Sequence, residues 1–478
     1  MKKQEKDMIE ISSNRYRLGY HISAESGWIN DPNGFCYYKG YYHIFYQYHP
    51  YSADWGPMHW GHARSKDLVH WETLPIALSP DSKEDEDGCF SGSAIVKDDI
   101  LYLIYTGHHY YGDNNPDHFW QNQNLAYSTD GINFTKYKKN PIIPSAPKDS
   151  THHFRDPKVW EENGHFYMIL GNQNEECLGR VITYRSEDLK EWVYLGEMAK
   201  AKSLNEEGFM WECPDFFDLN EGNTYRDILL FSPQGIKAQA EKYLNLFQTG
   251  YFIGEYNQDT NTFSHGDFKE LDYGHDFYAT QTTVSPDGRR IVYGWMDMWE
   301  SEFPEKADGW AGALTLPREL VLKENRLIMQ PVRELEKLRE SKIYSWNQQV
   351  VGPTLICDKH RQVEMNLEIL GDSNFQIMFK DNDSVPFMEC TFNKEDNKLT
   401  LARSDKLDSR FAIVNDSKQI SVRIFMDTSS MEMFINNGEV VFTERFYINS
   451  DPQIWIQANQ AIECQNVTYK LKNQVITF

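Results

Sequence analysis

Before residue 322 the chain repeats one pattern five times. Two runs rich in Tyr, Phe, Ile and Val flank a polar turn in "GFCYYKGYYHIFYQYH" from Gly34. The pattern returns in "SAIVKDDILYLIYTGHH" from Ser93, "KVWEENGHFYMILGN" from Lys158, "DFFDLNEGNTYRDILLFSPQG" from Asp215 and "TTVSPDGRRIVYGWMDM" from Thr282. Apolar-aromatic runs punctuated by Gly, Asn-Gly or Asp-Gly are strand and hairpin signals. Behind three of the hairpins a Ser-x-Asp turn leads to Trp or Phe: "SKDLVHWETL" at Ser65, "STDGINFTKY" at Ser128 and "SEDLKEWVYL" at Ser186. A hairpin cannot bury its apolar face alone, and units of several strands recurring roughly every 60 residues bury it by stacking around an axis. Five units predict a five-bladed β-propeller over residues 1–330. The competing arrangement is a plain β-sandwich with coincidental spacing.

Beyond the repeat, "PVRELEKLRESKIYS" carries mixed charge at helical spacing and predicts a linker helix over 331–344. From 345 to 478 short alternating runs resume, among them "VEMNLEIL", "ISVRIFMD" and "MEMFINNGEVVFTERFYI", whose Asn-Asn-Gly is a hairpin turn. They predict a C-terminal β-sandwich. The expected fold class is therefore all-β, a five-bladed propeller followed by a sandwich.

Charge narrows the partners. With 48 basic against 71 acidic residues the net charge is −23, which argues against nucleic acid or an anionic membrane as partner. An anionic small substrate would need a local basic pocket. Seven scattered cysteines without a C-x-x-C pattern fit reduced thiols, and the charged start "MKKQEKDMIEISSNRYR" lacks a signal-like apolar stretch, so a cytoplasmic protein is expected. No metal site or organic cofactor is indicated. An exposed sandwich edge leaves a homo-oligomer open.

Polar signatures sit just upstream of each hairpin, where a propeller's innermost strands begin: "WINDPNG" with Asp31, "GCFSGSA" with Ser91, "HFRDPKV" with Arg155 and Asp156, "MWECPDF" with Glu212 and Asp215, and "GHDFYATQT" with Asp276. Three acids stand one or two residues before proline, namely Asp31, Asp156 and Glu212. Proline donates no N–H and biases its predecessor toward extended backbone, which suits the start of such a strand. Each acid alone reads as a turn former. Matching placement in successive units gathers carboxylates around one axis, a costly arrangement unless the site uses them. Paired carboxylates with opposite tasks are what glycoside hydrolysis requires. Nearby Trp28, Trp55, Trp60, Phe90, Trp211 and Trp295 suit stacking on sugar faces.

Together "WINDPNG", "FSGSA", "FRDPKV" and "WECPDFF" resemble the invertase-like β-fructofuranosidase family of glycoside hydrolases, from about Tyr20 to Leu338 and more weakly beyond. The resemblance implies a five-bladed propeller plus sandwich, and Asp31 as nucleophile on the anomeric C2 of a fructosyl unit. It implies Glu212 as acid then base, and Asp156 as transition-state stabiliser through the fructose hydroxyls. It also implies a substrate pocket of Trp28, Asn30, Gln47, Trp55, Phe90, Ser91, Arg155, Cys213, Asp276 and Trp295. The phrases "DEDGCFSGSA" and "DGWAGALTLPREL" are most similar to bacterial members acting on sucrose 6-phosphate. Fructan hydrolysis, fructosyl transfer and a catalytically silent sugar-binding propeller are the alternatives. Candidate phosphate donors are His108, His109, Arg180, Arg289 and Arg290, though each reads more readily as a solvated surface or packed residue. The run "DSKEDEDG" lacks a full calcium-loop pattern and reads as a solvated loop. Adjacent pairs His108-His109 and His152-His153 point to opposite strand faces and make poor joint metal ligands.

Overall fold

The computed structural model describes residues 8–381, 385–415 and 418–478. Among these the chain is nearly all β, with one four-residue α-helix, Leu204–Glu207, and three short 3-10 helices.

The first two thirds form five sheets in chain order, each built from consecutive antiparallel strands. Their leading strands are Gly27–Tyr38, Cys89–Lys97, Ser150–Glu162, Met210–Glu221 and Tyr278–Val284. These pack against one another in sequence, and the fifth returns to the first, so the contacts close into a ring. The first sheet also takes Trp310–Ala311 in parallel beside Gly27 and Trp28, and Ile476–Thr477 in parallel beside Trp71 and Glu72. The last residues of the chain thus tie back onto its first sheet.

The Ser-x-Asp turns work alike in each unit. Asp67, Asp130 and Asp188 each use Oδ1 to accept two backbone N–H groups, those of Val69 and His70, Ile132 and Asn133, and Lys190 and Glu191. Such a carboxylate replaces the bonds that the backbone loses on leaving the strand. Trp71 and Trp192 then fold back, their indole N–H donating to Leu68 and Leu189 carbonyls.

The remaining chain forms two six-stranded sheets that share one apolar core. One sheet contributes Met365, Leu367 and Ile369, the other Ile377, Phe379 and Phe392. Strands such as Lys398–Arg403 alternate buried and half-exposed residues, as a sheet covered on one face must.

The predicted linker helix over 331–344 does not form. Arg333–Leu338 is a six-residue 3-10 helix, and Arg339–Val350 is already a strand paired with Ile462–Leu471. The apolar residues explain this: Val332, Leu335 and Leu338, all fully buried, recur every three residues, the period of a 3-10 helix.

Buried ion pairs stitch the last sheets to the first five. Arg318, fully buried, binds Glu432 at 2.7 Å and Asp272 at 2.9 Å. His21 bridges Asp427 and Glu432, and Arg445 holds Asp297 and Glu305. A further member corrects an expectation: Asp276, assigned to a sugar pocket from sequence, is buried here, bound to Arg403 and to the Arg445 N–H. Burial works against the charged form of this carboxylate, but the Arg403 guanidinium outweighs it and holds the pKa of Asp276 below the usual carboxylate range.

Candidate active site

Every leading strand carries a bulge at the same level. Its pairing slips between Ile29 and Pro32, Cys89 and Gly92, Arg155 and Lys158, Glu212 and Asp215, and Tyr278 and Thr280. In the first four, two residues face a single partner, which bends the strand and re-aims side chains toward one end of the ring. The paired prolines Pro32, Pro157 and Pro214 lie at these bulges, where a missing N–H costs no ladder bond. Extended backbone before each proline was the expectation, yet Asp156 before Pro157 adopts φ 65° and Cys213 before Pro214 adopts φ 47°. Aspartate tolerates this left-handed region better than most residues, so the bulge overrides the pre-proline bias.

The bulges bring Asp31, Asp156 and Glu212 together around one cavity of about 280 Å³. Asp31 accepts hydrogen bonds from the Ser91 hydroxyl at 2.8 Å, the Asn30 amide at 3.0 Å and the Cys213 thiol at 3.5 Å. Asp156 accepts the Cys213 backbone N–H at 2.9 Å, and its own N–H donates to Thr106 Oγ1. Glu212 is held at both oxygens. Arg155 Nε donates to one at 2.8 Å, while the Tyr278 hydroxyl at 2.5 Å and Gln234 at 2.9 Å donate to the other. Glu212 therefore sits fixed among donors, opposite an Asp31 fixed by a different set.

Burial and proximity raise two of the acids. Asp31 is lifted by desolvation first and by the charge of Glu212 second, with its three donors working against both. Asp156 is pushed up to about 7 by burial, then by Glu212, with Arg155 pulling the other way. Asp31 and Asp156 therefore both answer to the neighbouring charge of Glu212.

Of the other residues expected here, Asn30, Gln47, Trp55, Phe90, Ser91 and Arg155 line the cavity. Gln47 faces the first bulge from the neighbouring strand, between the partners of Ile29 and Pro32. Trp55 stands at the rim, 39% exposed, edge-on to Phe90. Trp28, Trp295 and Cys213 lie behind the wall. Trp28 stacks on Trp299 and directs its indole N–H to Asn30 Oδ1, while Trp295 is fully buried beside it. Trp60 and Trp211, proposed for stacking, are core residues. Asp276 lines a different, larger cavity of about 680 Å³, between the first five sheets and the last two, which contains none of the three acids.

The candidate phosphate donors separate likewise. Arg180 is occupied by Asp149 and Asn172, Arg289 by Asp287 and Glu334, and Arg290 lies over the Phe217 ring. Only His108 reaches the cavity, stacked on Phe90 at 4.2 Å, and burial with Arg155 nearby pushes it down to about 3.

Sequence reasoning missed Tyr278, Gln234, His153, Gln121, Phe119, Phe247 and Trp299, all of which hold Glu212 or line the cavity. Tyr278 carried a signal, since it lies in the fifth upstream signature at the level of the bulge. Gln234 and Gln121 come from second and third strands, which no motif marked.

Chemically, the cavity sets one carboxylate gripped by Ser91 and Asn30 opposite another fixed by Arg155, Tyr278 and Gln234. That is the equipment for nucleophilic attack and proton transfer at a glycosidic carbon. Comparisons with known proteins agree. The family model "Glycosyl hydrolases family 32 N-terminal domain" matches residues 21–331, and "Glycosyl hydrolases family 32 C terminal" matches residues 334–473. A sucrose-6-phosphate hydrolase of Zymomonas mobilis is 41% identical over 452 residues, covering 91% of this chain and 87% of its own. A raffinose invertase of Escherichia coli is 40% identical over 439 residues, 90% of each. Among solved structures, the sucrose-6-phosphate hydrolase of Lactobacillus gasseri superimposes with a TM-score of 0.86 at 30% identity, covering 97% of this chain and 95% of that one.

Proposed function

The chain belongs to glycosyl hydrolase family 32, and on that premise we propose that it hydrolyses the β-fructofuranosidic bond of sucrose 6-phosphate, and of sucrose, with retention at the anomeric carbon. The products are fructose with glucose 6-phosphate or glucose. The observation that carries the proposal is the meeting of Asp31, Asp156 and Glu212, from three leading strands, in one cavity.

Asp31, oriented by Ser91 and Asn30, attacks C2 of the fructosyl unit while Glu212 gives its proton to the departing oxygen. The resulting fructosyl ester on Asp31 is hydrolysed by a water that Glu212, now a base, deprotonates. Asp156 accepts hydrogen bonds from ring hydroxyls, which strengthen as positive charge develops at C2. Tyr278, Gln234 and Arg155 keep Glu212 aimed along the path of the leaving oxygen. Cys213 spaces Asp31 from Asp156, its Sγ 3.5 and 3.7 Å from their oxygens.

The five sheets whose leading strands close a ring support a five-bladed propeller over residues 1–330, with the two six-stranded sheets as a β-sandwich from about residue 339. Seven free cysteines and a phosphorylated substrate suit the cytoplasm. Among the described residues no helix is long and apolar enough to cross a membrane.

A second reading has a specific basis. Among the described residues the one arginine lining the cavity, Arg155, is already paired with Glu212, and His108 and His153 are held neutral by burial, which favours an uncharged leaving group. The similar raffinose invertase points the same way. Measuring kcat/KM on sucrose 6-phosphate, sucrose, raffinose and kestose decides between them. At least tenfold preference for the phosphorylated substrate supports the first; equal or greater turnover of raffinose or kestose overturns it.

A further inference from the structure

The acidic run Asp81–Gly88 and the neighbouring His109 take no part in the fructosyl chemistry, yet the fold brings them together. The solvated loop expected from sequence is only partly so. Asp85 is fully buried, accepting from the Ser82 hydroxyl, the Tyr105 hydroxyl and Lys136. Glu86 and Asp87 turn instead toward the strand Ile100–Tyr110. The His108 N–H donates to the Gly88 carbonyl at 3.0 Å, and Asp87 Oδ2 accepts the Tyr110 N–H at 2.8 Å.

Alternation along that strand sends His108 into the catalytic cavity and His109 to the opposite face, as expected of adjacent residues. His109 lies flat on Trp120, with centroids 3.8 Å apart and planes 8° from parallel, its side chain only 1% exposed. Its Nε2 donates to the Glu84 carbonyl at 3.0 Å. With that N–H committed, Nδ1 carries the ring's lone pair. It is buried, has no hydrogen-bond partner, and points at Glu86 Oε1 from 3.9 Å. One ligating atom each from Glu86, Asp87 and His109 lie within 4.8 Å of one another.

We propose that Glu86, Asp87 and His109 form a binding site for a divalent transition-metal ion of the zinc class, with a fourth position open to water. The nitrogen donor is what separates this class from calcium, which gathers six to eight oxygens. An imidazole whose second nitrogen is fixed by a carbonyl is the usual outer-shell support for a metal-binding histidine. In a tetrahedral site with bonds of about 2.0–2.1 Å the ligand atoms stand roughly 3.3 Å apart, so the three must draw together by up to about 1.5 Å. Glu86, its side chain 63% exposed and its Oε1 3.9 Å from His109 Nδ1, has room to move inward. The ion also relieves the repulsion between two adjacent carboxylates. Its role is structural: it ties the turn leading into Phe90 and Ser91 to the strand behind it, bracing one wall of the cavity.

The test uses cobalt(II) as probe on the full chain carrying Cys177→Ser, which removes the exposed thiol. Titration followed by visible d–d absorption and by melting temperature should show one saturable equivalent and a raised melting temperature. Glu86→Gln should weaken binding at least tenfold and abolish the thermal shift, with the same result for Asp87→Asn. His109→Gln removes the nitrogen donor but is buried, so the exposed Glu86 variant decides the matter if that protein fails to fold. Absence of saturable binding, or binding unchanged in Glu86→Gln and Asp87→Asn, overturns the proposal.

Discussion

Replacing Asp156 by Asn should make the protein more stable while nearly stopping its turnover, and the gain should depend on pH. The folded protein pushes Asp156 up to about 7 from the 3.8 of a solvated aspartate, through burial and the neighbouring charge of Glu212. Below about pH 4 this carboxyl is protonated in both the folded and unfolded chain and favours neither. Between about 4 and 7 the unfolded chain ionises it and the folded chain resists, so wild type loses stability as pH rises. Above about 7 the penalty is complete. A shift of about three units at 1.36 kcal/mol each gives a ceiling of roughly 4 kcal/mol. Asparagine carries no such penalty. Its oxygen can keep the Cys213 N–H bond of 2.9 Å while its NH₂ faces the cavity. The expected gain is about 2–4 kcal/mol at pH 8, shrinking toward zero at pH 4.5, read from urea unfolding followed by tryptophan fluorescence. Turnover should fall at least about 100-fold, because a neutral amide accepts weaker bonds from the fructose hydroxyls. A variant no more stable than wild type at pH 8, or equally stabilised at pH 4.5 and 8, would refute the electrostatic reasoning.

Asp31→Ala should abolish hydrolysis with the fold intact by circular dichroism, whereas Glu212→Ala should slow poor leaving groups most and regain activity with azide; near-normal rates in either would remove its assigned role. Tyr278→Phe deletes one of the two donors that aim Glu212 Oε2, and kcat should fall about tenfold, about 1.4 kcal/mol of barrier, with little change in KM. Arg318→Ala strands Glu432 and Asp272 in the fully buried interface between the first and last sheets, and should cost about 3–5 kcal/mol, seen as a large fall in melting temperature without a shift in KM.

The three acids that meet in the cavity were legible because their motifs are local. An acid beside proline at the head of an aromatic hairpin appears three times, and each appearance proved to be a bulge in a leading strand. The parts that stayed hidden depend on which chain segments face one another. Gln234 sits on a second strand whose residues look like any other sheet, and reaches Glu212 only because its strand pairs beside that bulge. Asp276 and Tyr278 stand two residues apart in one signature; the acid looked the better candidate. Arg403, 127 positions away, claimed the acid, and the tyrosine reached the site.

Hydrophobic spacing, turn residues and the repeat interval determined by themselves that this chain forms β units in series with carboxylates at equivalent points. These are properties of neighbours along the chain, set by side-chain alternation and backbone sterics. Only the tertiary structure decided which tryptophans sink into the core, which face His109 presents, and how far each carboxylate is driven from its solution acidity. Burial, charge proximity and ion pairing act through space, and strands far apart in sequence supply them once the ring of leading strands has closed.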